Sequence, residues 1–210
     1  MSAVVWAPQD RTAGLDAAGG RPLLACAVGD EVLGFQAHGE EVADDLLAHG
    51  MGSPHCRAWR LDLTTRLRLS LPALLARTDW GRTPGRERIL GVRMSRTGFD
   101  ALLRSSVLGE NVPTLYASAA AFRLATRYAG VLVSWQADVD PNGDPLPWQT
   151  PRFSLRDHAL RAFTHEWVVG VMDLTPWVRQ HRDGRSSALP VPVCGPVTLS
   201  DADRLRLTGA

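Results

Sequence analysis

The chain has 210 residues, 45% hydrophobic and 21% charged, the composition of a globular protein with enough apolar side chains for a sizeable core. Its formal net charge of +1 supplies no global field drawing it to nucleic acid or an anionic membrane, and no run approaches the roughly 18 apolar residues of a membrane span. All 23 basic residues are Arg. Without a Lys, P-loop, pyridoxal phosphate and protein kinase chemistries are excluded, whereas the Arg fork suits bidentate grip on phosphate or carboxylate.

Taken in chain order, the first twenty residues are Ala/Gly-rich and read as a loosely held arm. Pro22 to Val28 and Glu31 to His38 read as a hairpin through the turn pair Gly29-Asp30. In the second strand Leu33, Phe35 and Ala37 point one way and Val32, Gly34, Gln36 and His38 the other. Glu40 to His49 reads as a helix, with two acids in its first turn and Gly50 placed for a left-handed cap. Trp59 to Leu69 alternates over eleven residues and predicts a strand. On it Trp59, Leu61, Leu63, Leu67 and Leu69 oppose Arg60, Asp62, Thr64, Arg66 and Arg68. Ser70 is placed to cap a helix to about Arg77, with Pro72 in its first turn.

A long loop from Thr78 to Gly85 precedes a strand over Arg88 to Met94. Thr97 with Asp100 resembles a capping box before a helix through Val107, and Tyr116 to Tyr128 reads as another helix. Val131 to Gln136 reads as a strand, followed by a turn-forming stretch from Asp138 to Pro145 and a short strand near Arg152 to Leu155. Leu160, Phe163, Trp167, Val168 and Val171 have the spacing of one amphipathic helix. Thr175-Pro176 opens a last short helix, and from Asp183 the Pro- and Ser-rich chain reads as an extended surface tail. Hairpin strands with interspersed helices predict one α+β domain over residues 1–210, built on small mixed or antiparallel sheets.

Several chemistries can be tested on motifs. There is no GxGxxG after a strand and no GxSxG elbow. His165-Glu166 begins like a zinc-protease helix but lacks the second His, and His49, His55 and Cys56 are local neighbours of ligand type for which a loop His beside a buried Cys is the commoner reading, so no metal is expected. Asp138, Asp140, Asn142 and Asp144 alternate like a calcium loop, but Pro141 and Pro145 interrupt, which favours an Asx turn. Cys26, Cys56 and Cys194 are widely spaced, without a CxxC pair, and the start has no basic flank with a long apolar run. Together these predict a cytoplasmic protein.

The informative feature is the polar strand face. Arg60, Arg66 and Arg68 on one strand, with Gln36 and His38 on another, would form a wall able to hold a phosphate or carboxylate if the strands are neighbours. The competing interpretation is a solvated sheet face whose arginines pair with acids such as Asp62.

The order of segments resembles the domain-of-unknown-function 4291 family, found in bacteria and fungi. Asp30 to His38 is similar to its strand ending in VYQAY, Thr78-Asp79-Trp80-Gly81 to its RSGWG, and Gly85 to Leu90 to its GQERVL. Ser134-Trp135-Gln136 through Asp140-Pro141 resembles its QWDPDHDP, and Ala159 to Pro176 its C-terminal helix and DITP turn. The likeness covers about residues 22 to 182. Where the family has TWIKPSF this chain reads Thr65 to Leu71, with Arg68 for the family Lys and Arg66 for its Trp, and near Arg152 it departs again. On this resemblance it is identified as a divergent member.

The resemblance brings no activity with it. By fold-level analogy, a strand ending in a polar residue and then a helix ending in Gly is similar to the start of ADP-ribosyltransferase-like domains, which bind a nicotinamide dinucleotide between two small sheets. On that analogy NAD is the substrate, Gln36 and His38 meet its nicotinamide-ribose side, Arg66, Arg68, Trp80 and Arg152 hold the dinucleotide, and Glu166 or Glu87 supplies an acid. Two further functions stay open: a non-catalytic binding or accessory protein, and a tailoring enzyme on a small anionic metabolite.

Overall fold

A computed structural model describes residues 20–184 and 194–210. The proposed N-terminal arm therefore lies outside the described residues, apart from Gly20. Strand β1 (Leu24–Val28) turns at Gly29, whose φ of +59° a glycine adopts without penalty, into β2 (Glu31–His38). They pair antiparallel, with Val28 opposite Glu31, as the turn pair predicted.

β2 organises the sheet. One edge runs along the whole of β4 (Arg88–Ser95), which carries β8 (Val168–Asp173) beyond it. The other edge is shared: β1 takes Glu31 to Leu33, and β3 (Thr65–Arg68) pairs at Phe35. From β3 the sheet continues through β7 (Pro145–Leu155) and β6 (Val131–Val139) to β5 (Ser106–Leu108), the last pair being parallel. A two-residue β9 (Gly195–Pro196) pairs with β1. The result is a curled, mixed α+β architecture, as expected.

Alternation along the strands gives the sheet two apolar faces. One buries Val32, Leu67, Leu69, Val92, Val133 and Phe153 against four helices: α1 (Glu40–His49), α3 (Arg96–Ser105), α5 (Asp157–Ala162) and the late helix α7 (Asp201–Thr208). The other is smaller. It buries Leu33, Phe35 and Ile89 under α2 (Leu71–Arg77) and α6 (Thr175–Arg182). A further helix, α4 (Ala119–Tyr128), has no buried residue. At Gly34 the packing leaves no room for a side chain, because an added Cβ would lie 2.6 Å from Cδ1 of buried Leu67.

Helix α1 has the predicted bounds, although Gly50 takes φ +80° with ψ 151° rather than the left-handed helical conformation. Ser70 caps α2 as predicted, its Oγ accepting from the Ala73 N–H. Five expectations are corrected. The eleven-residue strand is reduced to Thr65–Arg68; Trp59 to Thr64 is irregular, and Arg60 and Asp62 pair with each other in solvent instead of joining a ladder. Helix α3 is capped by Ser95 Oγ, which accepts from Gly98 N, and not by Thr97, and it stops at Ser105 so that β5 can add to β6. The strand predicted near Arg152 to Leu155 spans Pro145–Leu155. The single amphipathic helix is α5 followed by a π-helical turn, Phe163–Trp167, and then β8. Val168 and Val171 answer the unpaired edge of β4, where β-branched residues fit and backbone groups need partners.

The fifth correction concerns the C terminus, which does more than drape. Trp135 Nε1 donates to Leu207 O at 2.7 Å, and Arg206 Nη1 donates to the carbonyls of Leu103 and Ser106, docking α7 on the sheet and α3. Cys26 and Cys194, which their wide spacing without a CxxC pair did not link, are joined in a disulfide, and Cys56 is free and buried.

Candidate functional site: an arginine cleft beside the central strands

Arg66 and Arg68 alternate on β3, so both project from the sheet face that also carries Phe35, the direct partner of Arg68 on β2. Across the other edge of β3, Arg68 lies opposite Arg152 and Arg66 opposite Ser154. Helix α2 packs over Phe35 and leaves the arginine end of this face open. There the sheet, α2 and the following loop bound a cleft of about 190 Å³ whose walls include Arg66, Arg68, Arg77, Arg86, Thr78 and His38.

The loop is built locally. Buried Thr78 closes α2 by donating its hydroxyl to Leu74 O, while its carbonyl accepts from the N–H groups of Gly81, Arg82 and Thr83. That tight wrap carries Asp79 and Trp80 into the left-handed region, at φ 46° and 55°, a conformation non-glycine residues adopt only under external constraint. It returns the chain to β4 with Arg86 at the cleft.

Charge at the cleft is one-sided. Arg68 is 7% exposed and donates Nη1 to Gln136 Oε1 at 2.7 Å. Burial, then the neighbouring charges of Arg152, Arg77, Arg66 and Arg86, lower its pKa to about 10. Arg152 is lowered by burial and by Arg66 and Arg77, and its buried Nε has no hydrogen-bond partner; Ser134 Oγ, on the residue opposite it in β6, is likewise buried and unpartnered. Among the described residues none of these five arginines is paired with a carboxylate, and no acid lines the cleft. Asp62 pairs with Arg60, as the solvated-face interpretation expects for that arginine, and not with Arg66 or Arg68.

Gln36 and His38 belong to the other face of β2. Gln36 is buried, 1% exposed, and donates Nε2 to Thr65 Oγ1 at 3.1 Å. With the amide so oriented, its Oε1 accepts from His38 Nε2, also at 3.1 Å. Burial lowers the His38 pKa to about 4, so the imidazole is neutral at pH 7. The strand pleat therefore separates Gln36 from the arginines, and of this pair only His38, at the end of β2, reaches the cleft wall. A wall shared by guanidinium, amide and imidazole does not form.

The remaining candidates lie apart. Glu166 is exposed on the π-helical turn, and Glu87 accepts from the Gly85 N–H. Trp80 stacks on His181 at 5.4 Å beside a separate hollow bordered by Arg82 and Arg182. Sequence reasoning misses Arg77 and Arg86, because one sits in the last turn of a helix and the other in a loop, with nothing periodic to mark them. Asp138, read as part of a turn, is buried and accepts from Ser70 Oγ, Val139 N and Trp148 Nε1. The turn itself is the Asx kind expected, with Asp140 Oδ1 accepting from Asn142 N and Asp144 N. Among the described residues no three His, Cys, Asp or Glu side chains are grouped to hold a metal, and no helix is long and apolar enough to cross a membrane.

A search of curated proteins finds no match to the chain. The family model for a domain of unknown function (DUF4291) matches residues 23–188, which takes in β1, the central strands, the arginine cleft and the α6 region. The chain belongs to this domain-of-unknown-function family.

Proposed function

We propose that the arginine cleft binds a phosphate-bearing small molecule. The supporting observation is the convergence of Arg66, Arg68, Arg77, Arg86 and Arg152 with no carboxylate among them. Bringing like charges together, one of them buried, opposes folding unless something else compensates, and a polyanion supplies the missing counter-charge. Arg forks match phosphate oxygens bidentately.

Among the described residues the cleft walls carry no acid for a transferase step, so the proposal is of binding, with NAD kept as one of the ligands to test. Inorganic pyrophosphate and NAD are titrated while the melting temperature is followed. At a hundredfold excess over Kd a ligand adds about 2.7 kcal/mol, and Arg66→Ala with Arg68→Ala is expected to remove the shift. No stabilisation by either compound at millimolar concentration overturns the proposal.

A further inference from the structure

Adjoining the arginine cleft is a second hollow of about 150 Å³ with different chemistry. Val42, Trp59 and Leu63 give it an apolar lining, and it shares His38, Thr64 and Thr65 with the cleft. Trp59 is fixed in place: its Nε1 donates to Thr164 Oγ1 at 3.0 Å, and its ring meets His38 edge-on at 5.8 Å. Leu63 is 56% exposed at the rim. Arg60, at the border, is already engaged by both oxygens of Asp62.

Resting on the anion reading above, we propose that the two hollows hold one ligand, a nucleotide, with phosphates among the arginines, sugar against Thr64, Thr65 and His38, and base between Trp59 and Leu63. Neither hollow alone reaches the roughly 300 Å³ at which small-molecule pockets begin, but together they do. The order of chemistry along the pair is cationic, then hydroxyl and imidazole, then apolar and aromatic, which is the order of groups along a nucleotide. The shared wall suits a sugar in particular. Thr65 Oγ1 accepts from Gln36, which leaves its hydroxyl proton to donate. His38 spends Nε2–H on Gln36 Oε1 and keeps Nδ1 as an acceptor. An isoprenoid diphosphate would also place an apolar group beside the phosphates, but would leave these hydroxyl and imidazole groups without partners.

The test is calorimetric titration of the full chain with inorganic pyrophosphate, ADP and dimethylallyl diphosphate, repeated on Leu63→Ser, whose exposed position keeps folding out of the comparison. ADP is expected to bind about tenfold or more tighter than pyrophosphate and tighter than the isoprenoid diphosphate. Leu63→Ser should weaken ADP several-fold and leave pyrophosphate unchanged. ADP binding no tighter than pyrophosphate, the isoprenoid binding as tightly as ADP, or a loss shared equally by all three overturns the nucleotide while leaving the anion cleft standing. If pyrophosphate and ADP both fail to bind, the anion cleft itself is overturned.

Discussion

Arg68 and Arg152 face each other directly across the β3–β7 ladder, two guanidinium groups on one sheet face without an acid between them. Like charges in direct cross-strand register destabilise a sheet, by roughly 0.2–1 kcal/mol relative to a neutral pair. Arg152→Met, which keeps the aliphatic stem, is therefore expected to raise the melting temperature of the free protein by roughly 0.4–4 °C, since each kcal/mol moves a domain of this size by roughly 2–4 °C. The same change should weaken pyrophosphate binding. Thermal melts with and without pyrophosphate check both halves, and a variant both less stable and unimpaired in binding would contradict the role assigned to the pair.

His38 sets a pH dependence. Its imidazole is held near pKa 4 in the folded chain against an ordinary 6.5. Between these values the unfolded chain takes up a proton that the folded chain does not, so this contribution to stability is complete above 6.5 and is lost as pH falls toward 4. The loss amounts to at most about 3 kcal/mol. His38→Gln, neutral throughout, should flatten the fall in denaturant stability between pH 6.5 and 4, and an unchanged slope would show that His38 is not the group responsible.

Gly34 is required by its neighbour across the sheet. A Cβ there would overlap the side chain of fully buried Leu67, so Gly34→Ala is expected to cost about 1–3 kcal/mol by overpacking. Combining it with Leu67→Ala should cost less than the sum of the two single changes, as measured by a double-mutant cycle in urea. Strict additivity would mean that the two side chains do not compete for the space.

The Cys26–Cys194 bond ties β1 to the segment carrying β9 and α7, across 168 residues of chain. Closing so long a loop restricts the unfolded state, with disulfides of this kind stabilising by roughly 2–5 kcal/mol. Reduction, or Cys194→Ser, should lower the melting temperature and increase hydrogen exchange in α7 ahead of the central strands. Equal melting of the oxidised and reduced proteins would show that the docking of Leu207 and Arg206 suffices.

Local chemistry accounts for the elements that are legible in the sequence. The β1–β2 hairpin follows from Gly29-Asp30, α1 from its charged ends, and α2 from Ser70 and Pro72, because each signal acts within one or two turns of chain. The alternation of Arg66 and Arg68 against Leu67 and Leu69 is equally legible, and the structure keeps it. The pattern extends too far, since Trp59 to Leu63 repeats it without a neighbouring strand to supply backbone partners. Val168 to Val171 mislead for the opposite reason: a helical spacing is overridden by the open edge of β4.

By itself the sequence determined an α+β chain, its lysine-free basic chemistry, its family and the two arginines on which the candidate site depends. Only the tertiary structure decided which groups share that site. Register between β2 and β3 placed Phe35, not Gln36, beside Arg68, and so turned the amide away. The fold of α2 and its loop brought in Arg77 and Arg86, and the register between β3 and β7 set Arg152, already a candidate from the sequence, opposite Arg68. Periodicity records which side of its own strand a residue occupies. The partner strand and register that bring a second group alongside it come from burying two apolar faces at once.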